Sequence, residues 1–267
     1  MAATEAPPEA RISQGRAAGM GFLKYEPPGY AERQERWPLL LFLHGAGESG
    51  DDPQELLSEG ATGCPLVELQ KGTAVPVLRD SFVVVAPQTN VGWDAERISA
   101  FTDAIASDES QFRIDPSRMY CTGVSMGGYG AWQAGTLGGK FAAIAPVCGA
   151  GGVSAASLGS TPVWAFHGAN DVVVPVHATD GMVQRLRALR FGGNANAAEG
   201  EGAGGIGGGG RGRGGRRDGP PNEVKYTRYD ESPAPTGWES YDGHASWKQA
   251  YGGPELFDWL LAHSKTT

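Results

Sequence analysis

Cysteine is scarce in this chain: Cys64, Cys121 and Cys148 are the three among 267 residues. They are widely spaced and form no Cys-x-x-Cys pair, so neither a disulfide framework nor a zinc site is expected. Cys121 and Cys148 fall within or at the end of apolar runs and read as small buried hydrophobes. Long apolar runs are also missing. No segment reaches the roughly 18 apolar residues that a membrane-spanning helix needs. Positive charge is short, with 22 Lys and Arg against 30 Asp and Glu and a net charge of −8. That balance argues against general attraction to nucleic acid or to an anionic membrane. Residues 1–19 contain Ala, Pro and Glu but no apolar core, so they read as a frayed tail rather than a secretory leader. The odd cysteine count and the missing leader point to a soluble, reducing, cytoplasmic or other intracellular setting. Nothing in the sequence signals an oligomeric state.

What the chain does have is alternation. Short apolar runs predict strands over 21–25, 38–43, 82–86, 118–122, 142–147, 163–167 and 224–229. Helical patterns fall between them over 65–71, 95–110, 128–136, 176–190 and 254–264. Runs such as Leu39-Leu40-Leu41-Phe42-Leu43 suit strands covered on both faces. The pattern predicts one α/β domain over 20–267, with a mostly parallel, doubly wound sheet and helices on both faces. The Gly/Arg-rich stretch at about 192–222 breaks it. Residues 192–219 hold 14 glycines in 28, with Arg211, Arg213, Arg216 and Arg217 near the end. So much glycine cannot offset the entropy of ordering, and an unstructured insert is expected. Because it joins a helix to the following strand, it should lie away from the strand C-termini where active sites form. The tract is similar to Arg/Gly RNA-binding segments. Its two glutamates and Asp218 weaken that reading in favour of a tolerated linker.

The chemistry-bearing motif is Gly123-Val124-Ser125-Met126-Gly127-Gly128, between a predicted strand and a predicted helix. A turn this sharp crowds the residues on either side of the serine, and Gly123 and Gly127 relieve the crowding by lacking a Cβ. Ser125 would then stand exposed above the sheet. The motif resembles the nucleophile elbow of α/β-hydrolases, in which the chain order is Ser, then Asp or Glu, then His. A serine hydroxyl needs a histidine base, and the imidazole needs a carboxylate to orient it. Asp171, in His167-Gly168-Ala169-Asn170-Asp171, sits in a turn after the strand over 163–167. It serves as the acid unless it merely closes the turn. Asp180 falls within the next helix and is the weaker choice. His244, in Tyr241-Asp242-Gly243-His244-Ala245-Ser246-Trp247, follows the last strand and serves as the base. His167, His177 and His263 read as structural or surface histidines. His44 precedes the serine and reads as a turn-stabilising group.

An oxyanion also needs donors. The backbone N–H of Met126 is one. The second falls in His44-Gly45-Ala46-Gly47-Glu48, where Ala46 is the first choice and Gly45 the next. Trp93 and Trp238 lie in loops that could line the substrate site, although ordinary partial burial explains them equally well.

Five ordered motifs carry a wider resemblance: Leu43–Glu48; Ala86-Pro87-Gln88 with Gly92-Trp93; Arg113–Arg118 running into the elbow; His167–Asp171; and His244–Trp247 followed by Tyr251 and residues 255–261. Together they cover about 20–190 and 223–264. The chain resembles the α/β-hydrolase superfamily, and within it the esterases and "predicted peptidases" related to feruloyl esterases, polyhydroxybutyrate depolymerases and the phospholipase/carboxylesterase family. The resemblance implies Ser125, Asp171 and His244 as a triad, Ala46 and Met126 as oxyanion donors, and no metal or cofactor. It implies hydrolysis of a small-molecule carboxylic ester through an acyl-enzyme, with peptidase or thioesterase activity as alternatives on the same triad. A binding role for the Arg/Gly tract is a further alternative. No long apolar lid is evident, which favours short-chain or aryl esters over triglycerides.

Overall fold

A computed structural model describes residues 11–192, 220 and 222–265. Eight strands form one sheet in the order β1-β2-β4-β3-β5-β6-β7-β8. They are β1 (Arg11–Ala17), β2 (Met20–Glu26), β3 (Trp37–Leu43), β4 (Val83–Pro87), β5 (Ile114–Val124), β6 (Ala143–Val147), β7 (Val163–Gly168) and β8 (Val224–Tyr229). β1 pairs antiparallel with β2 and β2 with β4, and every other neighbouring pair is parallel. The helices are α1 (Pro65–Lys71), α2 (Pro76–Ser81), α3 (Ala95–Ser107), α4 (Met126–Gly135), α5 (His177–Phe191), α6 (Trp247–Ala250) and α7 (Glu255–Leu261). This is the α/β-hydrolase fold. No helix among the described residues is long and apolar enough to cross a membrane.

The period-2 geometry of the strands divides the apolar residues between two cores. Leu40 and Phe42 of β3, with Val84 and Ala86 of β4, face α1 and α7 through Leu66, Val67, Phe257 and Leu260. Leu39, Leu41 and Leu43, with Val83 and Val85, face α3, α4 and α5 through Phe101, Trp132 and Met182. Both faces of the central strands are therefore dry, as their unbroken apolar runs predict.

The chain differs from its sequence reading at the N-terminus. Arg11–Ala17, within the expected tail, is an edge strand. Its residues are too polar to announce a buried strand, and what orders them is backbone pairing with β2 across Ala18 and Gly19, at φ 48° and 79°. Residues 1–10 lie outside the described part. So does most of the expected insert, residues 193–219 and 221. Its described flanks are held where the strands begin. The Arg190 guanidinium at the end of α5 donates to the carbonyls of Thr161, Asn222 and Glu223, just before β7 and β8.

Strand order reverses at the centre: β4 lies on one side of β3, and β5 on the other. The C-terminal ends of β3 and β5 therefore flank the switch point where open α/β sheets bind ligands. α4 begins there, almost touching β3. A Cβ built on Gly127 would lie 1.9 Å from the Leu43 carbonyl oxygen, and one on Gly128 would lie 2.4 Å from that of Val147. Both obstacles are backbone atoms that cannot rotate away. Gly127→Ala should therefore cost about 3 kcal/mol or more. Gly47→Ala, with nothing within 4 Å of its Cβ, should cost under about 1 kcal/mol. Urea midpoints of the two variants test the contrast, and equal losses would refute it.

Candidate active site

Ser125 caps α4 at φ 53° and ψ −116°, a conformation that costs a non-glycine residue of order 1–3 kcal/mol. The sheet and helix hold it there. Ser125 N–H donates to the Val147 carbonyl at 3.0 Å and lies 3.2 Å from Cys148 Sγ, while Ser125 C=O accepts from Tyr129 N–H in the first turn of α4. The strained turn projects the hydroxyl toward His244, whose Nε2 is 2.9 Å from Ser125 Oγ. On the far side of the ring, His244 Nδ1 is 2.8 Å from Asp171 Oδ2. A carboxylate only accepts, so Nδ1 carries the proton and Nε2 is free to accept from the serine hydroxyl.

Asp171 is fully engaged. Its Oδ1 accepts from the backbone N–H groups of Val173 (2.8 Å) and Val174 (2.9 Å), and His167 Nε2 lies 3.1 Å from Oδ2. Burial by itself would raise this carboxyl. Hydrogen bonds from His167 and His244, with the charge of His244 and the Val174 N–H, outweigh it and hold the group well below the usual carboxylate range. Asp171 therefore stays ionised beside the His244 imidazole. The loop carrying His244 reaches the Asp171 turn through Gly243 at φ 75°, where a Cβ would lie 2.3 Å from the backbone of Asn170. Asn170 ties the two loops by donating to Ser232 C=O at 3.1 Å and accepting from Ser232 N–H at 2.9 Å.

The loop after β3 is held from the segment that follows β4. Trp93 Nε1 donates to His44 C=O at 3.1 Å, Gln88 Nε2 to Glu48 C=O at 2.9 Å, and Thr89 N–H to His44 Nε2 at 3.1 Å. His44 Nδ1 lies 2.6 Å from Gly45 C=O, so the proton is on Nδ1. Burial lowers the His44 pKa to about 4, leaving a neutral ring at neutral pH. Ala46 and Met126 each open a helical turn, where the first N–H groups have no intrahelical partner. Neither donates to an acceptor among the described residues.

A cavity of about 340 Å³ opens beside Ser125 and His244, lined in part by Gly45, Ala46, Glu48, Gly60, Trp238 and Trp247. Of the two tryptophans singled out in the sequence, Trp238 lines this space and is 49% exposed. Trp93 does not: it meets His44 edge to face behind the loop, with ring centroids 5.1 Å apart. Its indole holds the loop through the His44 carbonyl. Asp180 stands apart in α5, bonded to Tyr226 and Arg228. Two residues here had no role in the site from sequence, and a third, His167, is the structural histidine expected. His167 is a second support for Asp171, Cys148 adjoins the backbone of Ser125, and Glu48 is a buried carboxyl in the cavity. Glu48 closes the Leu43–Glu48 motif with no role evident from its position, and nothing local marks His167 as the partner of Asp171.

No protein-family model matches the chain. It is 32% identical over 181 residues to the bifunctional acetylxylan esterase/xylanase XynS20E of Neocallimastix patriciarum, a match covering 64% of this chain and 24% of that protein. A solved thermostable esterase superposes with a TM-score of 0.68 at 27% identity, over 96% of this chain and 64% of the other. A structure named FAE gives a TM-score of 0.62 at 15% identity, over 96% of this chain and 90% of that one, and is alike in fold. The chain thus spans about a quarter of the curated relative and under two thirds of the thermostable esterase. The fold is that of the α/β-hydrolases, and the curated relative and the neighbour at 27% identity are both named as esterases.

His44 makes folding pH-dependent. Its ring is neutral in the fold down to about pH 4, whereas in the unfolded chain it takes a proton below its ordinary 6.5. The unfolded state therefore binds more protons in this window. The contribution is complete above pH 6.5 and is lost as pH falls toward 4, on the order of 3 kcal/mol. Urea unfolding at pH 7 and 4.5 should show a larger acid loss for wild type than for His44→Gln. Equal losses would rule His44 out as the source.

Proposed function

We propose that the protein is a serine hydrolase of carboxylic esters acting through an acyl-enzyme. The observation that carries this reading is the hydrogen-bonded chain from Ser125 Oγ through His244 to Asp171, opening on a cavity beside the oxyanion loop. Ser125 Oγ attacks the ester carbonyl carbon while His244 Nε2 takes its proton. Electrons move onto the carbonyl oxygen, which the N–H groups of Ala46 and Met126 stabilise. Collapse of this tetrahedral species breaks the bond to the alcohol oxygen, which leaves with the proton from His244. Water then repeats the sequence on the acyl-enzyme, giving up its proton to His244 and releasing the acid as Ser125 is reprotonated. Asp171, ionised throughout, orients the imidazole and balances its transient charge.

The acyl group is short. The cavity is modest in size, and the curated relative is named for acetyl ester hydrolysis. Wild type should hydrolyse p-nitrophenyl acetate and butyrate faster than the octanoate. Ser125→Ala should lower kcat by at least about a hundredfold. A wild-type protein inert toward all three esters would defeat the reading.

A further inference from the structure

Glu48 is a buried carboxyl in the cavity with no cationic partner among the described residues. Burying a carboxyl without such a partner is costly, so its place beside the nucleophile calls for an account. Burial raises its pKa, and the backbone N–H groups of Gly45 and Glu48 offset only part of the rise. The two oxygens face different ways. Oε2 lies on the Gly45 side, 3.2 Å from where a Gly45 Cβ would stand, with Ser125 Cβ 3.7 Å from the same point. Oε1 lies on the Gly60 side.

Gly60 creates a notch. A Cβ there would lie 3.7 Å from Trp238 Nε1 and 3.9 Å from Glu48 Oε1, so the missing side chain leaves one small space between an indole donor and a carboxyl oxygen. The Trp238 N–H has no acceptor among the described residues. Trp238 also belongs to the loop that carries His244, which ties the notch to the base that protonates the leaving alcohol.

We propose that the Glu48–Gly60–Trp238 notch binds a free hydroxyl on the alcohol portion of the substrate, making the enzyme selective for esters of polyhydroxy alcohols over those of plain alkanols. A hydroxyl both donates and accepts, so one group satisfies Glu48 Oε1 and the Trp238 N–H together. An ammonium group has no lone pair for the indole N–H, and an anion meets the carboxyl unfavourably. A methylene in the same place offers neither group a hydrogen bond, and the loss falls mainly on the buried Glu48 carboxyl.

This inference rests on the ester-hydrolase reading, and the test separates the two. The probes are glycerol 1-monoacetate and propyl acetate, which share an acyl group and a three-carbon alcohol and differ in two hydroxyls. Wild type should favour the monoacetate in kcat/KM by at least about tenfold. Gly60→Ala fills the notch with a methyl group in ordinary contact and needs no unusual backbone conformation, so it should fold. It should lower the monoacetate-to-propyl ratio at least about fivefold, as should Trp238→Phe and Glu48→Leu. Thermal unfolding of each variant identifies any that fails to fold. Equal wild-type rates on the two esters would overturn the inference and leave the esterase reading intact. So would variants that lower both rates in parallel, because Glu48 would then only brace the oxyanion loop. A preference for acetylcholine over both probes would assign the notch to a cation and overturn it as well. Hydrolysis of none of these esters would overturn both readings.

Discussion

The contact on which the molecule depends is the approach of the first turn of α4 to the ends of β3 and β6. Leu43, Val147 and two glycines meet backbone to backbone, closer than any side chain permits. Three consequences share that geometry. The helix lies directly on the sheet, Ser125 is driven into a conformation that lifts its hydroxyl above the strands, and its N–H finds the Val147 carbonyl. The strain at one residue is small against the packing of Trp132 and its neighbours beneath α4, so the fold can sustain it.

The second constraint is charge. A buried carboxylate survives only when enough donors surround it, and Asp171 has four: two backbone amides and two imidazoles. Those donors come from two segments. β7 and the turn after it supply His167, Val173 and Val174, and the loop after β8 supplies His244. Keeping the acid ionised therefore also fixes the distance between these segments. Asn170 and Gly243 reinforce it, one by bracketing Ser232 and the other by yielding space.

Much of this was legible in the sequence because it is set by local rules. Apolar runs such as Leu39–Leu43 marked strands covered on both faces. The Gly-x-Ser-x-Gly spacing marked a turn that only glycine allows. The chain order then pointed to Asp171 and His244, and the fold brings His244 within hydrogen-bond distance of both Asp171 and Ser125. What escaped notice depends on non-local partners. β1 has no apolar run and exists because β2 offers its backbone. α2 and α6 are only a turn or so long, too short for a periodic signal. Loop position left open whether Trp93 lines the cavity or is simply buried, and its indole is held by the carbonyl of His44. Glu48 and Gly60 are brought together from separate loops, and no spacing rule links them.

The three scarce cysteines acquire a use from where they lie. All are buried, Cys64 and Cys148 in the core beneath α1 and α7, and Cys121 in the core beneath α3, α4 and α5. The chain thus carries its own thiol clocks, one set in each layer. Cys64 borders the cavity beside Ser125, whereas an alkylating reagent reaches Cys121 only when its layer opens. The labelling rate of Cys121 reports how often its half of the sandwich comes apart, that of Cys64 reports access through the cavity, and Cys148, beside the Ser125 amide, times the loosening of the elbow itself.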